Sequence, residues 1–403
     1  IQKSRTYRIN EIQIEQSDNN SIIDCGQSSI TWDLSELPQG HAYKMEGAYG
    51  QAATPTVQCS IHFTASDSKQ RKINICHINF IKSKLTFSCS GKVILQNITF
   101  QWSKLMDSLT KQSLFRNLFI KMLKTKFIAQ ISLNQNVTVG TLLFRHTYSL
   151  HLIIDYSLFS DTFIHISCYH FTIHSKRTHY LLLTLNNMIL VHMTSESEFR
   201  DERKEIYSIP HLTYRLIILE NCYIKQPGDN TKGSTFLKIN KEILRLHIKS
   251  CTFTNVQVMD INNLDRNVHV ILTNIQIAID KCMFIQTPKQ HKQRAIKFHL
   301  AVDINILIKC EIKINNSQFT QYEAETGGSL IIMTKAYHGY NGSVINLLIS
   351  NVKFINNFAS RAGGSIYISN HVQLHVMQSI FVYDYRIESK KKTSFLTKGL
   401  FIY

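Results

Sequence analysis

The sequence predicts an all-β protein folded as a single-stranded, right-handed parallel β-helix of about 10–11 coils, each of roughly 30 residues. Three observations lead to this prediction. A strand, bend, strand pattern recurs along the chain, its copies are almost evenly spaced, and the periodicity that helical repeats require is missing. The right hand follows from the twist preference of parallel connections.

The pattern is clearest in residues 347–368, LLISNVKFINNFASRAGGSIYI. Leu347 and Ile349 set an alternating phase, Asn351 interrupts it, and Val352 and Phe354 resume it one residue out of step. Alternation is typical of half-buried strands, and a slipped phase indicates a corner between two strands. The pattern is therefore an apolar pair, a polar bend and a terminal apolar residue.

Copies of the pattern recur at intervals of about 30 residues, which is typical of repeats that bury their apolar faces against one another. The copies end at Phe80, Phe100, Phe127, Phe159, Leu190, Ile224, Phe253, Phe284, Phe319, Phe354 and Phe381. Stacking would bring the phenylalanines of this set into one inner core ladder. Leucine-rich repeats would need a shorter period with a Leu/Asn signature. Residues 104–119 form the one stretch where an amphipathic helix competes, and Arg116 inside its apolar face argues against it.

Charge constrains the partners. Lys and Arg exceed Asp and Glu by 45 to 28, which gives a formal charge of +17. Such a field favours a polyanion such as acidic polysaccharide, and other surface proteins are a further class of partner. Nucleic acid is disfavoured because the phenylalanines that could stack on bases are assigned to the core. The alternative is that the charges are spread over a solvated wall. No apolar run is long enough for a transmembrane helix, since residues 181–191 are too few.

Three regions are expected along the chain. Residues 1–60 fit the pattern poorly and should form an N-terminal cap over the open end of the β-helix. Residues 61–388 should form the β-helix, and residues 389–403 a basic tail or the start of a further coil, so the chain is expected to be a piece of a longer protein. Four N-terminal cysteines, Cys25, Cys59, Cys76 and Cys89, allow three disulfide pairings.

Two kinds of small or polar residue recur beside the bend. Cys222, Cys251 and Cys282 would stack on consecutive coils. A metal or redox column is one interpretation, but their spacing lacks paired CxxC motifs, so small buried hydrophobes are favoured. The bend position itself holds asparagines that tolerate left-handed backbone and would form a structural amide ladder. These are Asn97, Asn187, Asn221, Asn316 and Asn351.

Five sequons occur, at Asn19, Asn97, Asn136, Asn315 and Asn341. Asn97 lies in the predicted ladder, which leaves Asn341, Asn315, Asn136 and Asn19 as candidate N-glycosylation sites.

Two segments in the last third carry paired motifs. Phe319-Thr-Gln-Tyr322 is followed by Gly327-Gly328-Ser329-Leu330, and Phe354-Ile-Asn-Asn357 by Gly363-Gly364-Ser365-Ile366. They resemble the FxxN and GGA[ILV] repeats of the polymorphic outer membrane protein family, with serine in place of alanine. The resemblance covers about residues 312–370 and implies a right-handed parallel β-helix of pectin-lyase-like fold with a role in adhesion or surface display. The glycines Gly327, Gly328, Gly363 and Gly364 suit a tight turn with positive φ.

An enzyme of the same fold class is the alternative. Polysaccharide lyases and glycoside hydrolases need acidic residues grouped at one site. Here the acidic residues Asp155, Asp260, Asp265, Asp280 and Asp303 stand apart in the sequence. The sequence therefore predicts no catalytic residue, metal ligand or cofactor. We expect a secreted, extracellular or cell-surface scaffold or adhesion segment, with binding of anionic glycans through its basic surface as the chemistry to test.

Overall fold

A computed structural model describes most of the chain between residues 5 and 386. The described ranges are 5–6, 22–35, 42–46, 56–65, 70–107, 117–128, 140–144, 149–160, 162–166, 168, 170–181, 187–192, 215–226, 235–240, 245–263, 272–287, 293–302, 307–336, 345–368, 372–382 and 385–386. These residues are all-β, with long parallel sheets of many strands and no helix. The arrangement is consistent with a parallel β-solenoid, so the all-β, parallel part of the prediction is confirmed.

The chain divides into two compact units. Unit 1 comprises Ile1–His179 and Met193–Tyr214, and unit 2 comprises Tyr180–His192 and Arg215–Tyr403. No helix in the described ranges has the length and apolar character needed to cross a membrane. The predicted cap, β-helix and tail boundaries stay a prediction. Residues 389–403 lie outside the described residues.

Within its described residues, unit 1 contains seventeen strands, and they pair in parallel. They are β1 (Arg5–Thr6), β2 (Ile22–Asp33), β3 (Ala42–Glu46), β4 (Thr56–Thr64), β5 (Arg71–Cys76), β6 (Asn79–Ile81), β7 (Lys84–Ser88), β8 (Gly91–Gln96), β9 (Thr99–Gln101), β10 (Lys104–Asp107), β11 (Asn117–Leu123), β12 (Lys126–Ile128), β13 (Gly140–Phe144), β14 (Ser149–Asp155), β15 (Leu158–Ser160), β16 (Thr162–Ile166) and β17 (His170–Lys176). One series of neighbours runs β3, β5, β8, β11, β14, β17, and a second runs β6, β9, β12, β15. Both ends of residues 104–119 are therefore strand, and residues 108–116 lie outside the described part.

Unit 2 repeats the arrangement. After β18 (His179–Leu181), whose first residue belongs to unit 1, its strands are β19 (Asn187–His192), β20 (Arg215–Glu220), β21 (Tyr223–Lys225), β22 (Thr235–Asn240), β23 (Arg245–Lys249), β24 (Thr252–Thr254), β25 (Gln257–Asn263), β26 (Leu272–Asp280), β27 (Met283–Ile285), β28 (Ile296–Val302), β29 (Leu307–Asn315), β30 (Gln318–Thr320), β31 (Glu323–Thr326), β32 (Leu330–Ala336), β33 (Ile345–Ser350), β34 (Lys353–Ile355), β35 (Phe358–Ala362), β36 (Ile366–Ile368), β37 (Val372–Met377), β38 (Ile380–Val382) and β39 (Tyr385–Arg386). Three parallel series run along it: β20, β23, β26, β29, β33, β37; β21, β24, β27, β30, β34, β38; and β19, β22, β25, β28, β32, β36.

Aromatic rings stack through the core of each unit. In unit 1, Phe80, Phe100, Phe127 and Phe159 are register partners with ring centroids 5.0, 4.5 and 5.1 Å apart. In unit 2, Phe253, Phe284, Phe319, Phe354 and Phe381 stack at 5.1, 4.3, 5.2 and 4.7 Å. All except Phe381 are fully buried. Burying each ring stabilises the fold by about 1.5–3 kcal/mol relative to leaving it exposed.

The bend before each stacked ring has left-handed backbone. In unit 1 the bend residues are His77, Asn97, Lys124, Tyr156 and Arg177, and in unit 2 they are Asn221, Ser250, Lys281, Asn316, Asn351 and Gln378, with φ between 48° and 57°. Asparagine is favoured in this conformation, but the neighbouring coils impose it on other residue types as well. Asn187 is the exception to the prediction. It begins β19 and pairs with Thr235, so its assignment to the bend is wrong.

Asparagine side chains link neighbouring bends in unit 2. The amide of Asn351 donates to Asn316 Oδ1 at 2.8 Å, and the amide of Asn316 donates to Asp280 Oδ1 at 2.8 Å. Except after Asn351, where the next residue is Val352, the residue that follows the bend in unit 2 closes the corner with a hydroxyl or a thiol. The backbone N–H of Cys282, for example, donates to Ser317 Oγ at 3.1 Å, and the N–H of Cys222 to Cys251 Sγ at 3.4 Å. The corner thus satisfies backbone groups that would otherwise be buried without partners.

One predicted copy of the pattern is wrong. Leu190 lies on β19 and pairs with Lys238 of β22, so it belongs to a different series from the stacked rings. The short strand in the predicted position is β18, where Tyr180 is fully buried and packs edge-on against Phe236 with centroids 5.0 Å apart. The sequence pattern missed it because Ser175 replaces the second apolar residue and tyrosine replaces phenylalanine. In the predicted copy that ends at Leu190, the apolar pair would be Leu183 and Leu185, and both lie outside the described residues.

The paired motifs of the last third have distinct structural roles. Asn357 of the FxxN segment is buried; its side chain accepts from the Tyr322 N–H at 3.0 Å and donates to the Phe319 carbonyl at 3.1 Å. Gly327 and Gly363 have φ of +59° and +64°. A Cβ on Gly328 would lie 2.2 Å from the carbonyl oxygen of Gly364, which leaves no room for a side chain.

We expect Phe284→Ala to lower the free energy of unfolding by about 3–5 kcal/mol, because it removes stacking on both neighbours and leaves a cavity. Phe381→Ala is the matched control, since that ring is only partly buried and should cost markedly less. Urea unfolding midpoints measure both. Equal losses at the two positions would contradict the assignment of Phe284 to the core.

We expect Lys281→Asn to stabilise unit 2 by about 0.5–1 kcal/mol, because asparagine tolerates the left-handed backbone at this exposed bend better than lysine does. The control is Lys249→Asn, which makes the same chemical change at an exposed strand position and should not stabilise. Thermal unfolding compares the two variants. A midpoint for Lys281→Asn at or below that of the parent chain would show that the bend carries no strain.

Candidate functional site

The outer surface of one sheet in unit 1 carries lysines and histidines on neighbouring strands. Strands β5, β8, β11, β14 and β17 alternate between buried residues and residues that point outward. Lys72, Lys92, Phe119 and His151 are consecutive partners across four of these strands. Lys121 lies two residues along from Phe119, and in that row Ile153 separates it from His174. We call Lys72, Lys92, Phe119, Lys121, His151 and His174 the basic face.

Like charges lie close together on the basic face. Neighbouring parallel strands are about 4.8 Å apart, so the ammonium groups of Lys72 and Lys92 share one stretch of surface. Asp155 is the one acidic residue among the described outward positions of these five strands, and it is already in a bidentate ion pair with Arg177, with oxygen to nitrogen distances of 3.0 and 2.7 Å. Like charges that lie side by side destabilise a sheet. Among the described outward positions of these strands, Lys72 and Lys92 have each other as register partners and no carboxylate.

Aromatic rings lie among these cations. Lys92 Nζ is 5.3 Å from the centroid of the Phe119 ring, and the His151 ring meets Phe119 edge-on at 4.8 Å. At the neighbouring bend the Arg177 guanidinium lies 3.8 Å over the ring of Tyr156, which is 51% exposed and also hydrogen-bonded to Arg177. The face therefore offers both cationic and flat apolar contacts to a ligand.

The corresponding sheet of unit 2 places lysines beside carboxylates. Lys249 is the register partner of Glu220 on one side and Asp280 on the other. Lys313 Nζ lies 2.9 Å from Glu311 Oε1. Both lysines thus have carboxylates within the same sheet, unlike Lys72 and Lys92. This contrast identifies the basic face, rather than lysine content in general, as the unusual surface.

Three aspartates that stand apart in the sequence are in fact paired. Asp155 contacts Arg177, Asp280 accepts from Asn316, and Asp260 Oδ2 lies 3.3 Å from Lys297 Nζ. Each partner is 22 to 37 residues away, which is one coil along the chain, so sequence proximity could not reveal the pairs. The partners are two cations and an amide, so these contacts pair each carboxylate without grouping the carboxylates with one another. Asp265 and Asp303 lie outside the described residues.

The cysteines separate into two groups. Cys59 is disulfide-bonded, whereas Cys76 and Cys89 are not, which narrows the pairings left open by the sequence. Cys222, Cys251 and Cys282 are buried thiols. Side-chain hydrogen bonds to Cys222 and Cys282, together with burial, raise the pKa of Cys251. Within the described ranges, no group of three His, Cys, Asp or Glu side chains is arranged to hold a metal ion.

Of the candidate glycosylation sites, one can be located. Asn315 ends β29 and is partly exposed, while the hydroxyl of Ser317 in the same sequon is buried and donates to the Asn315 carbonyl at 2.6 Å. Asn19, Asn136 and Asn341 lie outside the described residues.

We expect the stability of unit 1 to fall as the pH drops below about 6.5, the ordinary pKa of histidine. Burial and the neighbouring His174 lower the pKa of His151, and burial likewise lowers the pKa of His62. The unfolded chain therefore binds these protons first, and folding is disfavoured as they bind. His151→Gln should flatten part of the stability profile measured between pH 7 and pH 5, and His247→Gln, in unit 2, is the control. An unchanged slope in His151→Gln would exclude this contribution.

Comparison with protein-family models, with curated proteins and with solved structures finds no significant match to this chain.

Proposed function

We propose that the chain is a non-enzymatic scaffold or adhesion segment, extracellular or at the cell surface, whose basic face binds anionic glycans. In this proposal the fold is a right-handed parallel β-helix with coils of about 30 residues, like that of the proteins its FxxN and GG motifs resemble. The observation that carries the proposal is that Lys72 and Lys92 lie side by side in register in unit 1, with Lys121 on the next strand, and that the one carboxylate among the described outward positions of these strands, Asp155, is paired with Arg177.

Binding of a polyanion would place negative charge beside the lysines of the basic face. Lys72 and Lys92 are register partners, and Lys121 lies on the next strand two residues along from the partner of Lys92, so strand pairing fixes where the three lysines stand. Carboxylate or sulfate groups along a polysaccharide would form charge-assisted hydrogen bonds with these ammonium groups. Because the strands are already in place, the chain would lose little backbone entropy on binding.

The overall charge and the disulfide agree with a surface role. The formal charge of +17 would raise the local concentration of a polyanion before any specific contact forms. The disulfide at Cys59 favours a secretory route, because disulfides persist in oxidising compartments.

We expect the protein to be retained on immobilised heparin and polygalacturonate and to elute with rising salt, since ion pairs at an exposed surface are screened. The double variant Lys92→Gln/Lys121→Gln should elute at clearly lower salt than the parent chain. Lys249→Gln/Lys313→Gln removes the same number of positive charges from two lysines of unit 2 that lie beside carboxylates. This variant should elute at nearly the same salt concentration as the parent.

The same columns test the alternatives. Equal shifts in the two double variants would mean that net charge, and not the basic face, determines retention. Sizing the eluted glycan tests the enzyme alternative, a polysaccharide lyase or glycoside hydrolase: shortened chains would overturn the proposal. If the parent chain is not retained on either column, the protein does not bind these anionic glycans, and only the scaffold part of the proposal remains.

A further inference from the structure

Three histidines lie together on the outward side of β14 and β17 in unit 1. His151 of β14 is the register partner of Thr172, and His170 and His174 lie two residues to either side of Thr172 on β17. All three histidines are at least partly exposed. His170 and His174 are therefore the diagonal neighbours of His151 across one strand pair. We call His151, His170 and His174 the histidine group, and two of its members belong to the basic face.

The charged side chains on the strands around the histidine group are mostly cations. Lys121 of β11 lies in the same row as His174. On β17, Lys176 follows His174 by two residues and points to the same side. Asp155 is the one carboxylate among the described outward positions of β11, β14 and β17, and it is held by Arg177 at 2.7 Å. Protonation of a histidine here therefore adds a positive charge to a surface that already carries lysines.

His151 is held on this surface in its uncharged form at neutral pH. Its ring meets Phe119 edge-on, with the ring centroids 4.8 Å apart. Burial and the neighbouring His174 lower the pKa of His151 from the ordinary histidine value of about 6.5. At neutral pH the lysines therefore supply the positive charge of the basic face, and His151 contributes a charge only in more acidic solution.

We infer that the histidine group makes glycan binding by the basic face pH-dependent, so that a sulfated or carboxylated polysaccharide binds more tightly in mildly acidic solution than near neutral pH. This inference rests on the proposed function. An anionic group bound beside the imidazole rings favours their charged form, so binding takes up protons. By linkage, the same protons strengthen binding. Three protonated rings would double the number of cations contributed by Lys72, Lys92 and Lys121.

The dissociation constant for heparin, measured with the full chain at pH ~7.5 and pH ~5, tests the inference. Heparin is the probe because its sulfate groups stay ionised over this range, so that a change in affinity belongs to the protein. We expect the dissociation constant to fall by at least about tenfold, which three exposed charge pairs of ordinary strength would supply. Calorimetry in two buffers of different ionisation enthalpy should also show net proton uptake on binding.

Variants assign the pH dependence to these residues. His151→Gln/His174→Gln should lose most of the affinity ratio between the two pH values. His247→Gln/His375→Gln is the control, because it removes two exposed outward histidines from β23 and β37 of unit 2, and it should keep the ratio of the parent chain. Circular dichroism at both pH values checks that each variant is folded.

The outcomes separate this inference from the proposed function. Equal loss of the ratio in the two double variants would show that the number of histidines matters and not their place, which overturns the inference. Heparin binding by the parent chain that is the same at both pH values would also overturn it, and the proposed function would stand. An absence of binding at either pH would contradict both.

Discussion

In-register parallel pairing is the constraint on which the rest of the structure depends. When Phe284 pairs with Phe319, their flanking residues must pair as well, so a coil cannot place one ring in the core without fixing the bend and the outward positions beside it. Chemically similar residues then stack: rings inside, asparagines at the bends and, on the basic face, lysines outside. Where successive coils have lysine at the same outward position, in-register pairing places the two lysines side by side, as with Lys72 and Lys92.

The sequence revealed the parts of the fold that repeat locally. The apolar pair, bend and terminal ring can be found because they lie within eight residues of one another, and the left-handed bend is marked by asparagine at Asn97, Asn316 and Asn351. The sequence pattern missed the coil that uses other residues for the same geometry, as with Ser175 and Tyr180. The bend shows the same limit, since Lys281 and Arg177 adopt a backbone that their residue types do not favour.

The candidate sites were harder to predict for a different reason. Asp260 meets Lys297 across one whole coil, and the number of residues in a coil varies with the length of its connections, so the partner of an outward residue cannot be counted from the sequence. The charge imbalance of the basic face was likewise invisible in composition. Lys249 has Glu220 and Asp280 as register partners, whereas Lys92 has Lys72 and Phe119, and only the register separates the two.

The thiols at three consecutive corners of unit 2 have a practical consequence. Cys222, Cys251 and Cys282 donate to backbone carbonyls of their own and neighbouring coils, at 3.2 to 3.6 Å, and are closed off from solvent. A thiol that has a raised pKa and that solvent cannot reach reacts slowly with alkylating reagents while the corner is closed. The rate at which Cys251 is alkylated therefore reports how often these coils open locally, and no label has to be introduced into the chain.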